Sequence, residues 1–95
     1  MYARINAIQI QPAKIAEMRA AMPAVNAKLK AIPGLLECKT CWDDTGKGTV
    51  FAIYQSQQHA EAATDSIRAI WGSLMGFLAA PPVVSTGTEV FDSLA

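Results

Sequence analysis

The chain is poor in the groups that most often mark a reaction. Its 95 residues include one histidine, two cysteines and eight side chains of each charge sign, for a formal net charge of +0. With one histidine, any Ser–His–Asp set would be an arbitrary choice. Neither charge sign gathers into a run, and the basic stripe that nucleic acid demands is missing, so no nucleic-acid partner is expected. No stretch approaches the ~20 apolar residues that span a bilayer. The most apolar region, Ile67 to Val84, is broken by Arg68, Gly72, Ser73, Gly76, Pro81 and Pro82. The opening "MYARINAIQI" has no basic segment ahead of an unbroken apolar core and does not read as a secretion signal. A reducing, cytoplasmic setting is expected, in which thiols stay free.

What the chain does have is apolar side chains. Hydrophobic residues make up 52% of it and the mean hydropathy is +0.21. Residues 1–95 suit a single domain, which at this size buries roughly 60–65% of the surface its unfolded chain exposes. The apolar surplus therefore predicts surface covered by a partner subunit.

The elements follow one another with short connections. Tyr2 to Ile10 has the length and β-branched content of a strand, and Pro12 suits a first helical position. Ile15, Met18, Met22, Val25, Leu29 and Ile32 recur at helical spacing, one apolar stripe ending at the stop signal "IPG". Pro23 lies within that stripe and predicts a kink or short break near Arg19 to Met22. Leu35 to Trp42 and Thr49 to Gln55 read as strands joined by the turn "DDTGKG". Asp43 and Asp44 are expected to shape that turn.

Ser56 is a good N-cap for a second helix with apolar positions from Ala60 to Leu78; Gly72 and Gly76 predict that it divides in its later half. Pro81 and Pro82 end it, and Val83 to Phe91 reads as the last strand. The order βαββαβ is the ferredoxin-like split βαβ arrangement, an α+β fold with a four-stranded antiparallel sheet and two helices on one face. The other face is left bare, yet neither face of the third strand is polar. Two such sheets packed together, a dimeric α+β barrel, would cover it; a homodimer is expected.

The two cysteines stand in "CKTC", a spacing shared with redox enzymes and zinc sites. Redox pairs of this kind sit at a helix N-terminus, whereas Cys38 and Cys41 lie in a strand. Three residues apart, they point to opposite sheet faces, with Cα atoms about 10 Å apart at ~3.3 Å per residue. A disulfide needs about 4.4–6.8 Å. Zinc wants four converging ligands, and opposed thiols plus His59 do not supply them. No metal site is expected, and the thiols read as structural.

Arg4 and Asn6 are polar residues in the middle of the first strand, placed either to bond at an edge or dimer seam or to point into a ligand cavity. His59 falls in the first turn of the second helix, where the dipole favours neutral imidazole; capping and general-base roles are both open to it. Trp71 lies on the apolar stripe of the same helix, and "GKG" lacks the phosphate-loop pattern.

The first strand "YARINAIQIQPAK", the "IPG" after the first helix and "YQSQQHAEA" entering the second resemble the antibiotic biosynthesis monooxygenase family. The resemblance implies a dimeric α+β barrel. It also implies a cofactor-independent monooxygenase acting on a small aromatic or quinone-like molecule, bound in a pocket between sheet and helices. In haem-degrading members an Asn on the first strand works with Trp and His on the second helix. Asn6 matches that Asn, but Ala63 to Leu78 contains no histidine, so no haem and no other cofactor is expected. The pocket is expected to be lined by Asn6, Trp42, Tyr54, His59 and Trp71, with Asn6 and His59 as catalytic candidates. The alternative is a non-catalytic homodimer that binds a small ligand or acts as an interaction module.

Overall fold

A computed structural model describes Met1–Ala95. Its first strand, β1 (Tyr2–Gln9), is followed by a 3₁₀ turn at Pro12–Lys14 and the helix α1 (Ile15–Lys30). The strands β2 (Leu35–Trp42) and β3 (Lys47–Tyr54) form a hairpin; α2 (Gln57–Ala62) and α3 (Thr64–Leu74) follow, and β4 (Val83–Gly87) closes the sheet. The spatial order is β2-β3-β1-β4, and every neighbouring pair is antiparallel. The helices pack on one face, which makes this the expected ferredoxin-like α+β fold. No helix is long and apolar enough to cross a membrane.

The hairpin closes through local chemistry. Asp43 Oδ1 accepts from the Thr45 N–H at 2.9 Å, the Thr45 hydroxyl at 2.6 Å and the Lys47 N–H at 3.2 Å. Gly46 has φ 85, and a Cβ there would strike the Ile10 carbonyl. The Ile10 N–H donates to the Gly46 carbonyl at 2.8 Å, which ties the turn to the end of β1. Asp43, not Asp44, does the shaping.

Of the kink or short break expected at Pro23, the break does not occur; α1 runs unbroken from Ile15 to Lys30. Met18 and Val25, one on each side of the proline, are both buried against the sheet. Interior proline costs ~3 kcal/mol, and burying two such side chains contributes roughly 1.5–3 kcal/mol each. Packing wins.

The second helix does divide, but at Ala63 and not at Gly72, which lies inside α3 with open space around it. Ala60 and Ala63 are 1% and 4% exposed. Two small side chains let the corner between α2 and α3 sit close on the sheet. Gly76 falls in the 3₁₀ turn Met75–Phe77 that ends the helical region. β4 is shorter than expected, ending at Gly87 instead of Phe91. Gly87 already pairs with Ala3, so β1 has only one strand residue left to offer beyond it.

Alternation sorts the sheet into two faces. Tyr2, Ile8, Ala52 and Tyr54 join Met18, Ile70 and Leu74 in a buried cluster of 13 residues beneath the helices. Ala3 and Ile53 are buried outside that cluster. With Ile5, Ala7 and Phe51 they belong to the face that carries no helix.

Candidate functional site

The helix-covered face is not filled throughout. Arg4 lies between Ala52 on β3 and Thr86 on β4, and Asn6 lies between Val50 and Val84. None of these strand neighbours is large enough to close the space between sheet and helices. What remains is a cavity of about 60 Å³ walled by sixteen residues, thirteen of them hydrophobic, among them Met18, Met22, Tyr54 and Trp71. It borders a wider groove of about 260 Å³ between α3 and the β1–β4 edge. Arg4, Asn6, Ile67 and Trp71 line both spaces. Thr64, Arg68, Pro82 and Val84 complete the groove.

Arg4 is the only charged side chain on the cavity wall. Its Nε is shut off from solvent and has no hydrogen-bond partner, although its guanidinium lies 5.8 Å from the centre of the Tyr2 ring. Buried donors are nearly always paired, and an unpaired one costs about 1–3 kcal/mol, more when charged. The Asn6 carboxamide makes no hydrogen bond within the chain either. Arg4 and Asn6 thus stand free on a wall whose only other non-hydrophobic residue is Thr40.

Tyr54 is 2% exposed. Burial pushes its phenol pKa up, only partly countered by Arg4, so it stays protonated at neutral pH and can act as a donor. Burial likewise pushes up the Cys38 thiol, against the pull of Lys39. Cys38 faces the cavity, whereas Cys41 is exposed three pairs further along the hairpin register and on the other side. No three His, Cys, Asp or Glu side chains converge as metal ligands would.

The structure brings together Asn6, Tyr54 and Trp71 of the expected lining, and leaves out His59 and Trp42. His59 is a helix-start residue. Ser56 Oγ accepts from its N–H at 3.2 Å and sits 2.7 Å from its Nδ1, and its ring lies on Gly34, where a Cβ would collide with it. That cap and that contact hold the imidazole against the loop before β2, away from the cavity. Trp42 does share the face of Cys38 and Thr40, but it lies over Gly48 at the hairpin end of the sheet, past Thr40 where the lining stops. Leu36, two residues before Cys38, is displaced by a bulge between Leu35 and Glu37 and is 53% exposed.

Sequence reasoning missed the groove residues Thr64 and Arg68. Their signal was present, since Thr64, Arg68 and Trp71 are spaced 4 and 3 and share a helix face.

An antiparallel sheet with one helical layer defines the ferredoxin-like α+β fold. Solved structures with this architecture match nearly the whole chain. A protein of Caulobacter crescentus CB15, provisionally named an antibiotic biosynthesis monooxygenase, is 24% identical with a TM-score of 0.80, covering 95% of this chain and 90% of its own. A structure named antibiotic biosynthesis monooxygenase is 16% identical with a TM-score of 0.77, covering 96% of this chain and all of its own at 100%. NE2512 of Nitrosomonas europaea, a protein of unknown function, is 14% identical with a TM-score of 0.81, covering 99% and 93%. No family model and no curated relative matches the chain. The resemblance to antibiotic biosynthesis monooxygenases therefore holds for the fold, and fold alone does not carry chemistry.

Proposed function

We propose that the chain is a cofactor-independent monooxygenase acting on a small aromatic or quinone-like molecule bound between sheet and helices. The observation that carries this reading is Asn6. Its carboxamide is unpartnered where the apolar cavity meets the groove, beside Trp71. A ring stacked on Trp71 would put a substrate oxygen within reach of the Asn6 N–H donors, which stabilise that oxygen as it becomes anionic. Tyr54, kept protonated by burial, supplies a second donor.

The inner cavity, about 60 Å³, is smaller than the ~150 Å³ that encloses benzene. The ring body therefore belongs in the groove, and the inner space suits a small apolar co-substrate such as dioxygen. The reaction balances without an external reductant. A ring methylene loses both hydrogens, one oxygen atom becomes the new carbonyl, and the other leaves with those hydrogens as water.

A homodimer with its sheets packed face to face belongs to the same proposal. Support comes from the bare apolar face centred on Ile5, Phe51 and Ile53. Glu37 and Lys39 border it with one charge of each sign, so a two-fold axis can set them opposite one another. A second reading, a non-catalytic ligand-binding dimer, is favoured by one observation. Of the cavity's ionisable groups, Arg4 is a permanent cation and burial holds Tyr54 and Cys38 protonated, so none is an evident base near neutral pH.

Thermal unfolding with a panel of phenols, anthrones and quinones tests the site. Stabilisation by a subset, lost in Asn6→Ala, is expected. Oxygen uptake with the stabilising anthrone separates the two readings: binding without uptake leaves only the second. If no compound raises the melting temperature, the pocket reading fails.

A further inference from the structure

The groove carries a charge signature that a neutral quinone does not use. We propose that the ligand of this site is an aromatic carboxylate, its carboxylate held by Arg4 with Arg68 at the groove rim. The proposal rests on the reading of the sheet–helix cavity as the ligand site.

The ion pairs of the chain are Lys14–Glu17 and Arg68–Asp65, so Arg4 has no carboxylate within reach. A guanidinium placed for stability would have its buried donors satisfied, and Arg4 Nε is not. The Tyr2 ring, 5.8 Å away, engages the cation through the ring face and takes none of its in-plane N–H donors as a carboxylate would. A guanidinium offers those donors as a planar fork, which matches two oxygens of one carboxylate. A para-quinone presents its two acceptors on opposite sides of the ring, too far apart to fill the fork.

The groove repeats the signal. Arg68 lines it, and none of its eight lining residues is acidic. Asp65 lies next to Arg68 at 3.8 Å, but both side chains are largely exposed and the link is too long to occupy the guanidinium. Two cations without an acid in the lining therefore face one space. Trp71 on one side and Pro82 with Val84 near the β1–β4 edge give that space flat apolar walls for a ring. The adjoining cavity accepts only a small apolar substituent.

The test is a matched series on one skeleton: 2-naphthoate, its carboxamide, and a naphthoquinone, titrated by calorimetry at pH 7. The carboxylate should bind at least about tenfold more tightly than the amide, the range expected for a charge-assisted hydrogen bond. Arg4→Gln should erase that preference, and Arg68→Gln should weaken the carboxylate about two- to fivefold. Added salt should weaken the carboxylate and not the amide. If Arg4→Gln fails to fold by circular dichroism, Arg4→Lys keeps the charge without the fork and should still lose most of the preference. The comparison of acid with amide on the unaltered protein stands without any variant. Equal binding of acid and amide, or a preference surviving in Arg4→Gln, overturns the carboxylate assignment while leaving the pocket reading intact. If none of the three compounds binds, the carboxylate assignment falls; the pocket reading falls with it only if the phenols, anthrones and quinones of the thermal panel fail as well.

Discussion

On β1, Arg4, Asn6 and Ile8 face the helices, while Ala3, Ile5 and Ala7 face away, and the two sets occupy alternate positions of one strand. The helix-covered face is the more buried of the two, yet it holds the unpartnered polar groups. The bare face is less buried and is apolar along that strand from Ala3 to Ala7, with Gln9 as its polar end. Each face is thus mismatched to its surroundings in the opposite sense. Under the proposed function a ligand answers the first mismatch and a second sheet answers the other. One strand carries both mismatches because its side chains alternate.

That contrast can be tested from both sides. The largest effect should come from Ile8→Ala, since Ile8 is 5% exposed beneath the helices. A loss of about 2–5 kcal/mol in urea unfolding is expected, against under half as much for Ile5→Ala in dilute solution. The Ile5 penalty should grow with protein concentration if a second copy covers it; equal, concentration-independent losses would erase the distinction between the faces. Next is Phe51→Lys, which puts a charge at the centre of the bare face, where Phe51 is 39% exposed. Light scattering at micromolar concentration should report a dimer for the unaltered chain and half that mass for the variant, with the far-ultraviolet dichroism unchanged. A monomer mass for both would remove the second sheet from the account.

The smallest effect concerns the hairpin, which belongs to neither face. The Thr45 hydroxyl, followed by the Thr45 N–H and then Lys47, holds the Asp43 carboxyl below its ordinary range. A lowered carboxylate stabilises the fold fully above the unfolded value of about 3.9, and that contribution is lost as pH falls through the folded value. The stability gap between the unaltered chain and Asp43→Ala should therefore be constant from pH 7 to 5 and narrow below about pH 4. A gap unchanged down to pH 2 would show that the charge is irrelevant to the turn.

Much of this was legible in the residues. The period of Met18, Met22, Val25 and Leu29 requires an amphipathic helix, and the alternation around Cys38 and Cys41 sets the thiols on opposite faces wherever β2 sits. The failures share a cause. Pro23 predicts a kink or break because local propensity says so, but no break occurs, since Met18 and Val25 are fastened to a sheet that the local sequence does not reveal. Gly72 predicts a break and none occurs, while Ala63 supplies one because close packing needs a small residue at the corner. His59 looked chemical because it is the lone histidine, yet its position is set by Ser56 and Gly34. Arg68 was overlooked because a single charge near a helix face resembles any solvated one.

The sequence by itself determined the order of elements, the antiparallel hairpin and the polar pair Arg4 and Asn6 within an apolar strand. Periodicity and turn chemistry are local properties, carried by neighbours along the chain. Only the tertiary structure decided which way that pair points, that Tyr54 and Trp71 meet it across a cavity, and that His59 and Trp42 stay outside. Those outcomes depend on register between strands and on how closely helices approach a sheet. Both are set by contacts among residues distant in sequence, where small side chains such as Ala52, Ala60 and Ala63 fix how near the layers come.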